Sequence, residues 1–208
     1  MTLLSRRALE SPQSGIRKMF GLAAKMTDLA NLGIGEPDFD TPPEIVEAAV
    51  RALREGATKY TSNAGIPPLR EVIMEKLSRE NGLPGTAENV VVTAGACEAL
   101  ILCLMAATDP GDEVIIPDPC WSNYMGEIHT DGGKAVPART YKEDRFHLKA
   151  STVKSLLTEK TKVLFLNTPS NPTGAVLDMA DLKEIAALAV EHDLTVVSDE
   201  PYEKLVYD

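Results

Sequence analysis

Cysteine and positive charge are both scarce in this chain, and each shortage removes a class of protein. Cys97, Cys103 and Cys120 are three in number and show no CxxC spacing, so neither a disulfide framework nor a metal centre is expected, and the chain reads as cytoplasmic. Lys and Arg total 21 against 31 Asp and Glu, a net charge of −10. Like-sign fields repel at long range, which argues against nucleic acid or an anionic membrane as the main partner. Long hydrophobic runs are missing too: the stretch from Ala94 to Thr108 is interrupted by Glu98 and falls short of the roughly 20 apolar residues of a spanning helix. The start, MTLLSRRALE, carries its arginines after a short apolar segment instead of before one, so no export signal is expected.

What the chain does have is 44% hydrophobic and 25% charged residues, the profile of a folded globular protein. The Gly-, Pro-, Asn- and Asp-rich segment from Asn31 to Pro43 separates an N-terminal arm, residues 1–43, from a larger domain over 44–208. Thr41 with Glu44 predicts a capping box, and a helix runs from there to about Arg54, with Ile45, Val46, Ala49, Val50 and Leu53 in one stripe and Gly56 past its end. A second helix follows Pro67-Pro68, turns Leu69, Val72, Ile73 and Leu77 inward and stops at Gly82. From Asn89 the pattern alternates. Strands are predicted at Val90–Val92, Glu113–Ile116, Lys134–Ala138, Lys162–Leu166 and Leu194–Ser198; helices at Gly95–Ala107, Lys149–Leu157 and from an Asp178 N-cap to Glu191. Runs such as Val163-Leu164-Phe165-Leu166 do not alternate with polar residues, so both faces of the sheet must be covered. The fold class is α/β with a mostly parallel sheet and helices on both faces.

Ligands of such sheets sit at the carboxyl ends of the strands. Four loops there are unusual. Thr93-Ala94-Gly95-Ala96-Cys97 opens a helix with small residues, where free N–H groups and the helix dipole favour an anion such as a phosphate, although an ordinary tight turn reads the same. Pro117-Asp118-Pro119-Cys120-Trp121 places the single tryptophan in a proline-stiffened loop, suited to stacking on a planar ring or to anchoring the loop. Asn167-Thr168-Pro169-Ser170-Asn171-Pro172-Thr173-Gly174 is too punctuated for helix or strand. Ser198-Asp199-Glu200-Pro201-Tyr202 puts a carboxylate at the end of a buried strand with a phenol three residues on; a helix cap is the plainer use of that Asp. Together the loops offer a phosphate cradle, a ring to stack on, amide and phenol groups, and a carboxylate for a ring cation. Pyridoxal phosphate asks for that set, because a carboxylate partner keeps its pyridinium nitrogen protonated.

With these residues in place the chain resembles the fold-type I pyridoxal-phosphate enzymes, specifically the class I/II aminotransferases. The resemblance runs from Ser14-Gly15-Ile16-Arg17 to the last residue, Asp208. Its marks are Gly33-Ile34-Gly35-Glu36-Pro37-Asp38-Phe39, Lys59-Tyr60-Thr61 with Gly65 and Leu69-Arg70, Asn171-Pro172-Thr173-Gly174, and Asp199-Glu200-Pro201-Tyr202. It implies that Gly95, Ala96 and Cys97 hold the cofactor phosphate, mainly through backbone, since members often carry Ser, Thr or Lys where Cys97 stands. It implies that Trp121 stacks on the ring, Asp199 pairs with the ring nitrogen, and Asn171 and Tyr202 hydrogen-bond the phenolic oxygen. Gly35, Trp121 and Asn171 fall near the substrate, and Tyr60 reaches the phosphate of a neighbouring subunit, which implies a homodimer. Asn171-Pro172 and Asp118-Pro119 are expected to be cis.

The family's Schiff-base lysine follows the Asp-x-x-Tyr segment by some tens of residues, which places it beyond Asp208 and leaves no catalytic residue expected within the chain. Lys204, two residues past Tyr202, stands in the wrong context. The 208 residues therefore resemble an N-terminal fragment of a pyridoxal-phosphate-dependent aminotransferase, which moves an amino group from an amino acid to a 2-oxo acid; alone they are expected to be inactive. In the family, further strands lie beside those present here, so unpaired edges and an exposed apolar face are also expected. The alternative is a non-catalytic cofactor-binding or partner module derived from that family. A dinucleotide-binding reading fails, because Gly33-Ile34-Gly35 is followed by Pro37 and opens no strand-to-helix unit. The particular amino acid is not legible.

Overall fold

The computed structural model describes residues 3–11, 35 and 39–207. The chain forms two units, one built from residues 1–21 and 96–208 and the other from residues 22–95.

The larger unit holds a four-stranded sheet of β1 (Glu113–Asp118), β2 (Lys134–Arg139), β3 (Thr161–Asn167) and β4 (Thr195–Asp199), all parallel and in the order β2-β1-β3-β4. Its short N-terminal helix is α1 (Arg6–Glu10). Helices α4 (Ala96–Ala107) and α5 (Asn123–Asp131) supply Leu100, Leu104, Tyr124 and Ile128 to one face, against Val114, Ile116, Val163, Phe165 and Val197. Helices α6 (Ala150–Leu156) and α7 (Met179–Glu191) supply Val153, Ile185 and Leu188 to the other, against Ile115, Ala138, Leu164 and Leu166. Neighbouring residues of one strand thus enter opposite cores. That is why the strands read as continuous apolar runs, and each large side chain so buried is worth about 1.5–3 kcal/mol.

The sheet is also pinned by polar groups. Buried Glu113 at the start of β1 accepts from Lys134 Nζ at 2.8 Å and Thr158 Oγ1 at 2.7 Å. Those two bonds, Lys134 first, hold its carboxyl below the usual range. On α7, Asp178 caps the helix by accepting from Asp181 N at 2.8 Å. Asp181 itself is buried and takes His147 Nδ1 at 2.7 Å and Lys149 Nζ at 2.8 Å. Burial pushes the Asp181 carboxyl up, but the Lys149 and His147 hydrogen bonds outweigh it and the net shift is downward. Although His147, Asp178 and Asp181 bring ligand-type atoms within 4.8 Å of one another, the Lys149 ammonium already stands where a cation would go. The cluster is a structural pin.

The smaller unit contains α2 (Pro43–Arg54) and α3 (Pro67–Asn81), followed by a single 3-10 turn at Ala87–Asn89. Arg70 Nε donates to Val90 O at 2.9 Å, and Val92 N to Ala64 O at 3.0 Å. A Cβ on Gly65 would fall 2.6 Å from Val92 Cγ2, and its φ of +100° suits glycine, so this contact fixes the residue type.

The structure corrects several predicted details. Val90–Val92 is not a strand: it follows the 3-10 turn as irregular backbone, and a short apolar run forms a strand only beside a partner strand. Thr41 does not cap α2; with prolines at 42 and 43 the helix starts one residue later, Pro42 takes the cap position and no side-chain cap bond forms. The α2 stripe is present but uncovered, with Ile45 and Leu53 at 59% and 61% exposure, and Leu69 and Val72 of α3 are exposed while Met74 turns inward. Helix α5 was not predicted, because Gly126 and Thr130 weaken its propensity; the burial of Tyr124 and Ile128, one turn apart, drives it. As expected, β4 pairs on one side only and Val196 is 39% exposed. Asp118-Pro119 and Asn171-Pro172 are cis, and Thr168-Pro169 is as well.

Candidate functional site

The carboxyl ends of β1, β3 and β4 converge on one group of side chains. Asp199 is the last residue of β4, and its Oδ2 accepts from the hydroxyl of Tyr124 on α5 at 2.5 Å. Burial, then the Asp199 bond, pushes the Tyr124 phenol far above its ordinary range, so it keeps its proton and acts as a fixed donor. The Tyr124 ring is held edge-on by Phe165 of β3 at 5.1 Å and by Trp121 at 5.5 Å. An aromatic stack therefore sets the position of the carboxylate.

Asn167, the last residue of β3, is buried. Its Nδ2 donates to Asp199 O at 2.8 Å and its Oδ1 accepts from Asn171 N at 2.7 Å. One amide thereby fixes the end of β4 and the start of the proline-rich loop. The loop closes on itself through Gly174 N to Ser170 O at 2.8 Å and Ser170 N to Ala175 O at 2.9 Å. Asn171 Nδ2 reaches Tyr202 OH at 3.5 Å, which brings these two residues together.

Helix α4 begins at Ala96, and in its first turn the N–H groups of Ala96 and Cys97 have no acceptor within the helix. Cys97 is exposed, with Sγ 4.0 Å from Asn123 Nδ2. Cys120, beside Trp121, is different: burial, then Asp118, pushes its thiol up to about 11, so it stays neutral. A small cavity nearby, whose walls mix Pro117, Phe146 and Leu166 with Thr140, Asn167 and Ser170, includes none of the predicted site residues.

Of the predicted residues, Ala96, Cys97, Trp121, Asn171, Asp199 and Tyr202 thus belong to the sheet unit. Gly35, Tyr60 and Gly95 belong to the other. Gly95 has a φ of +82° and its carbonyl accepts from Thr93 Oγ1 at 2.9 Å, while Tyr60 is fully exposed at 106%. Residues 33, 34 and 36–38, and the Ser14–Arg17 segment, lie outside the described residues. So does Asp208, the residue past which the Schiff-base lysine is expected; the described chain stops at Tyr207, and the expectation about that lysine is not met or broken by any residue in it. Sequence reasoning missed Tyr124, Asn167 and Glu127. The first two carry readable signals, an aromatic one helical turn after Trp121 and an amide ending a buried strand.

A parallel sheet, a carboxylate at the end of its edge strand, an aromatic stack beside it and a helix N-terminus within the same unit define the class: an α/β protein whose polar and aromatic side chains gather at the carboxyl ends of its strands. The family model for aminotransferase class I and II matches residues 27–208, and the chain belongs to that family. It is 47% identical over 209 residues to an aspartate aminotransferase of Pyrococcus abyssi, covering 100% of this chain and 54% of the relative. It is 44% identical to an aromatic-amino-acid aminotransferase 2 of Thermococcus litoralis, at the same coverages. Among solved structures, the Thermus thermophilus aspartate aminotransferase with maleate superposes with a TM-score of 0.94 at 45% identity, covering 100% of this chain and 56% of that one. An alanine aminotransferase of Pyrococcus furiosus gives 0.93 at 36%, covering 99% and 54%. The chain spans about half the length of the curated relatives it matches.

Proposed function

We propose that these residues form the cofactor seat of a pyridoxal-phosphate-dependent aminotransferase, one that transfers an amino group between an amino acid and a 2-oxo acid. The observation that carries the reading is the fixed Asp199. Tyr124 donates to one carboxylate oxygen at 2.5 Å and Asn167 holds the backbone carbonyl at 2.8 Å, which leaves the other oxygen to receive a ring N–H. A half-buried, hydrogen-bonded carboxylate at that point stabilises the protonated nitrogen. The bound group supplies an electron sink for bonds at the amino acid's α-carbon.

Every other task falls to the chain. Trp121 covers one face of the ring and keeps water from it. Asn171 and Tyr202 hold the phenolic oxygen, and the backbone of Gly95, Ala96 and Cys97 takes the phosphate. Trp121 and Asn171 border the substrate. Tyr60, exposed on its own subunit, serves the phosphate of a second copy, so the working protein is a homodimer in the cytoplasm, with residues 1–43 as its arm and 44–208 as most of its large domain. The relatives bear aspartate, aromatic and alanine names, so amino-acid selectivity is left to residues other than these.

Moving the α-proton needs a positioned base, whose loss typically costs about two to four orders of magnitude in rate. Lys134 is committed to Glu113, Lys149 to Asp181, and Lys204 is exposed. With the Schiff-base lysine assigned by the resemblance to a position past Asp208, these 208 residues bind the group without a covalent bond and do not turn over. The same commitments favour the second reading, a non-catalytic cofactor-binding or partner module. Incubation with pyridoxal phosphate followed by borohydride and peptide mass spectrometry tests both: no stoichiometric pyridoxyl-lysine is expected, and one adduct on a single lysine with measurable amino transfer would overturn the reading. Joining the chain to a C-terminal half of the family's length separates enzyme from module, since only the enzyme reading expects transfer to appear.

A further inference from the structure

One acid of the sheet unit has no part in holding the cofactor as proposed above. Glu127 lies on α5 one turn after Tyr124. Its Oε2 is buried and, among the described residues, without a hydrogen-bond partner. The carboxyl faces two elements: from α4 the Cys97 thiol makes a hydrogen bond to it, and from the end of β4 Asp199 acts on it through space. The cations near α5 are engaged elsewhere. Arg7 of α1 donates to Thr130 O, His129 of α5 meets Arg7 O, and on β2 Lys134 pairs with Glu113 and Arg139 with Asp118. Tyr124, on the same helix, donates its hydrogen bond to Asp199. An ionised Glu127 would have a buried anionic oxygen facing a second carboxylate, with no cation paired to it among the described residues.

We infer that Glu127 is a proton-gated positioning residue for a phosphate-bearing ring ligand: protonated, it leaves the α4 N-terminus open to the phosphate, and ionised, it repels that phosphate across Cys97. The inference rests on the cofactor reading for the identity of the ring, while the anion gate itself rests on Glu127, Cys97 and α4. Burial first, then Asp199, raises the Glu127 carboxyl to about 7 against the lowering effect of the Cys97 bond. The gate therefore closes as pH rises through neutrality. An ionised Glu127 also attracts a ring cation near Asp199, but it touches the phosphate side through Cys97, and a phosphate carries about −1.5 to −2 charges against the ring's single positive one. Repulsion wins.

Two measurements on the 208-residue chain test this. Trp121 is the single tryptophan, so quenching of its fluorescence reports binding of pyridoxamine phosphate, which lacks the aldehyde that labels surface lysines. If only the protonated form binds, apparent Kd rises about tenfold one pH unit above the Glu127 midpoint. The ratio of Kd at pH 8 to that at pH 6 should be about tenfold larger for the wild type than for Glu127→Gln, with Glu127→Met as a second charge-free variant. Pyridoxamine, without a phosphate, should show no such difference. Equal ratios in wild type and variant overturn the inference while leaving the cofactor reading intact. In the second measurement, carboxyl-labelled glutamate is followed by 13C NMR, and inorganic phosphate should raise the midpoint of the resonance that Glu127→Gln or Glu127→Met removes. A rise with no quenching by pyridoxamine phosphate supports the gate and overturns the cofactor reading. A midpoint unmoved by phosphate overturns the gate.

Discussion

The two units carry apolar patterns of equal clarity and use them differently. In the sheet unit, Val114, Ile115, Val163 and Leu164 are fully buried, with helices on both faces. In the helical unit, the α2 stripe of Ile45, Val46 and Leu53 is as regular and yet buries no residue. An amphipathic pattern thus reports that a face wants covering; whether the chain itself covers it is a separate matter. The sheet unit is covered on both faces, whereas among the described residues the α2 stripe of the helical unit is left uncovered.

The sharpest way to break this comparison is to truncate one side chain in each unit. Leu164→Ala should cost about 2–5 kcal/mol in urea unfolding, because it leaves a cavity between β3 and α7. Ile45→Ser should stay within about 0.5 kcal/mol. Equal costs would mean that the α2 stripe is covered after all.

Next in size is Asp181→Ala, which strips partners from buried His147 and half-exposed Lys149 and should cost about 1–3 kcal/mol. The Asp181 carboxyl is lowered in the folded chain, so its contribution is present above the ordinary carboxylate value and is lost as pH falls through the lowered one. Urea midpoints at pH 7 and in acid should therefore converge for wild type and variant as pH drops. Tyr124→Phe keeps the aromatic stack and removes the bond to Asp199, with an expected cost of about 1 kcal/mol. The smallest effect is a gain. Arg145 has a φ of +54° just before Phe146 at +57°, and Arg145→Gly relieves left-handed strain, raising stability by less than about 1 kcal/mol in thermal unfolding.

The sheet unit is also the more legible in sequence, and for a physical reason. Each strand from Glu113 on has its neighbour inside the same 208 residues, so local pattern and tertiary outcome agree, and β1 to β4 fall within two residues of their predicted bounds. Val90–Val92 has the same composition without a partner strand, and it stays irregular. Within the site, Trp121, Asn171, Asp199 and Tyr202 were legible because prolines and glycines mark their loops. Tyr124 and Asn167, which hold them, were not, since a buried hydroxyl or amide looks like any other until its partner 75 or 32 residues away is known. Glu127 was hidden for the same reason, its neighbours Cys97 and Asp199 being distant in sequence.

At the centre stands the claim that Asp199, fixed by Tyr124 and Asn167, is a preformed partner for a ring cation. Trp121 quenching by pyridoxamine phosphate at pH 6, compared between the wild type and Asp199→Ala, tests it most directly. Saturable quenching in the wild type is expected. A hydrogen bond to a charged group is worth about 1.5–3 kcal/mol, so affinity in Asp199→Ala should fall by about 10- to 100-fold. Equal affinity in the two proteins, or no saturable quenching in the wild type, would contradict it.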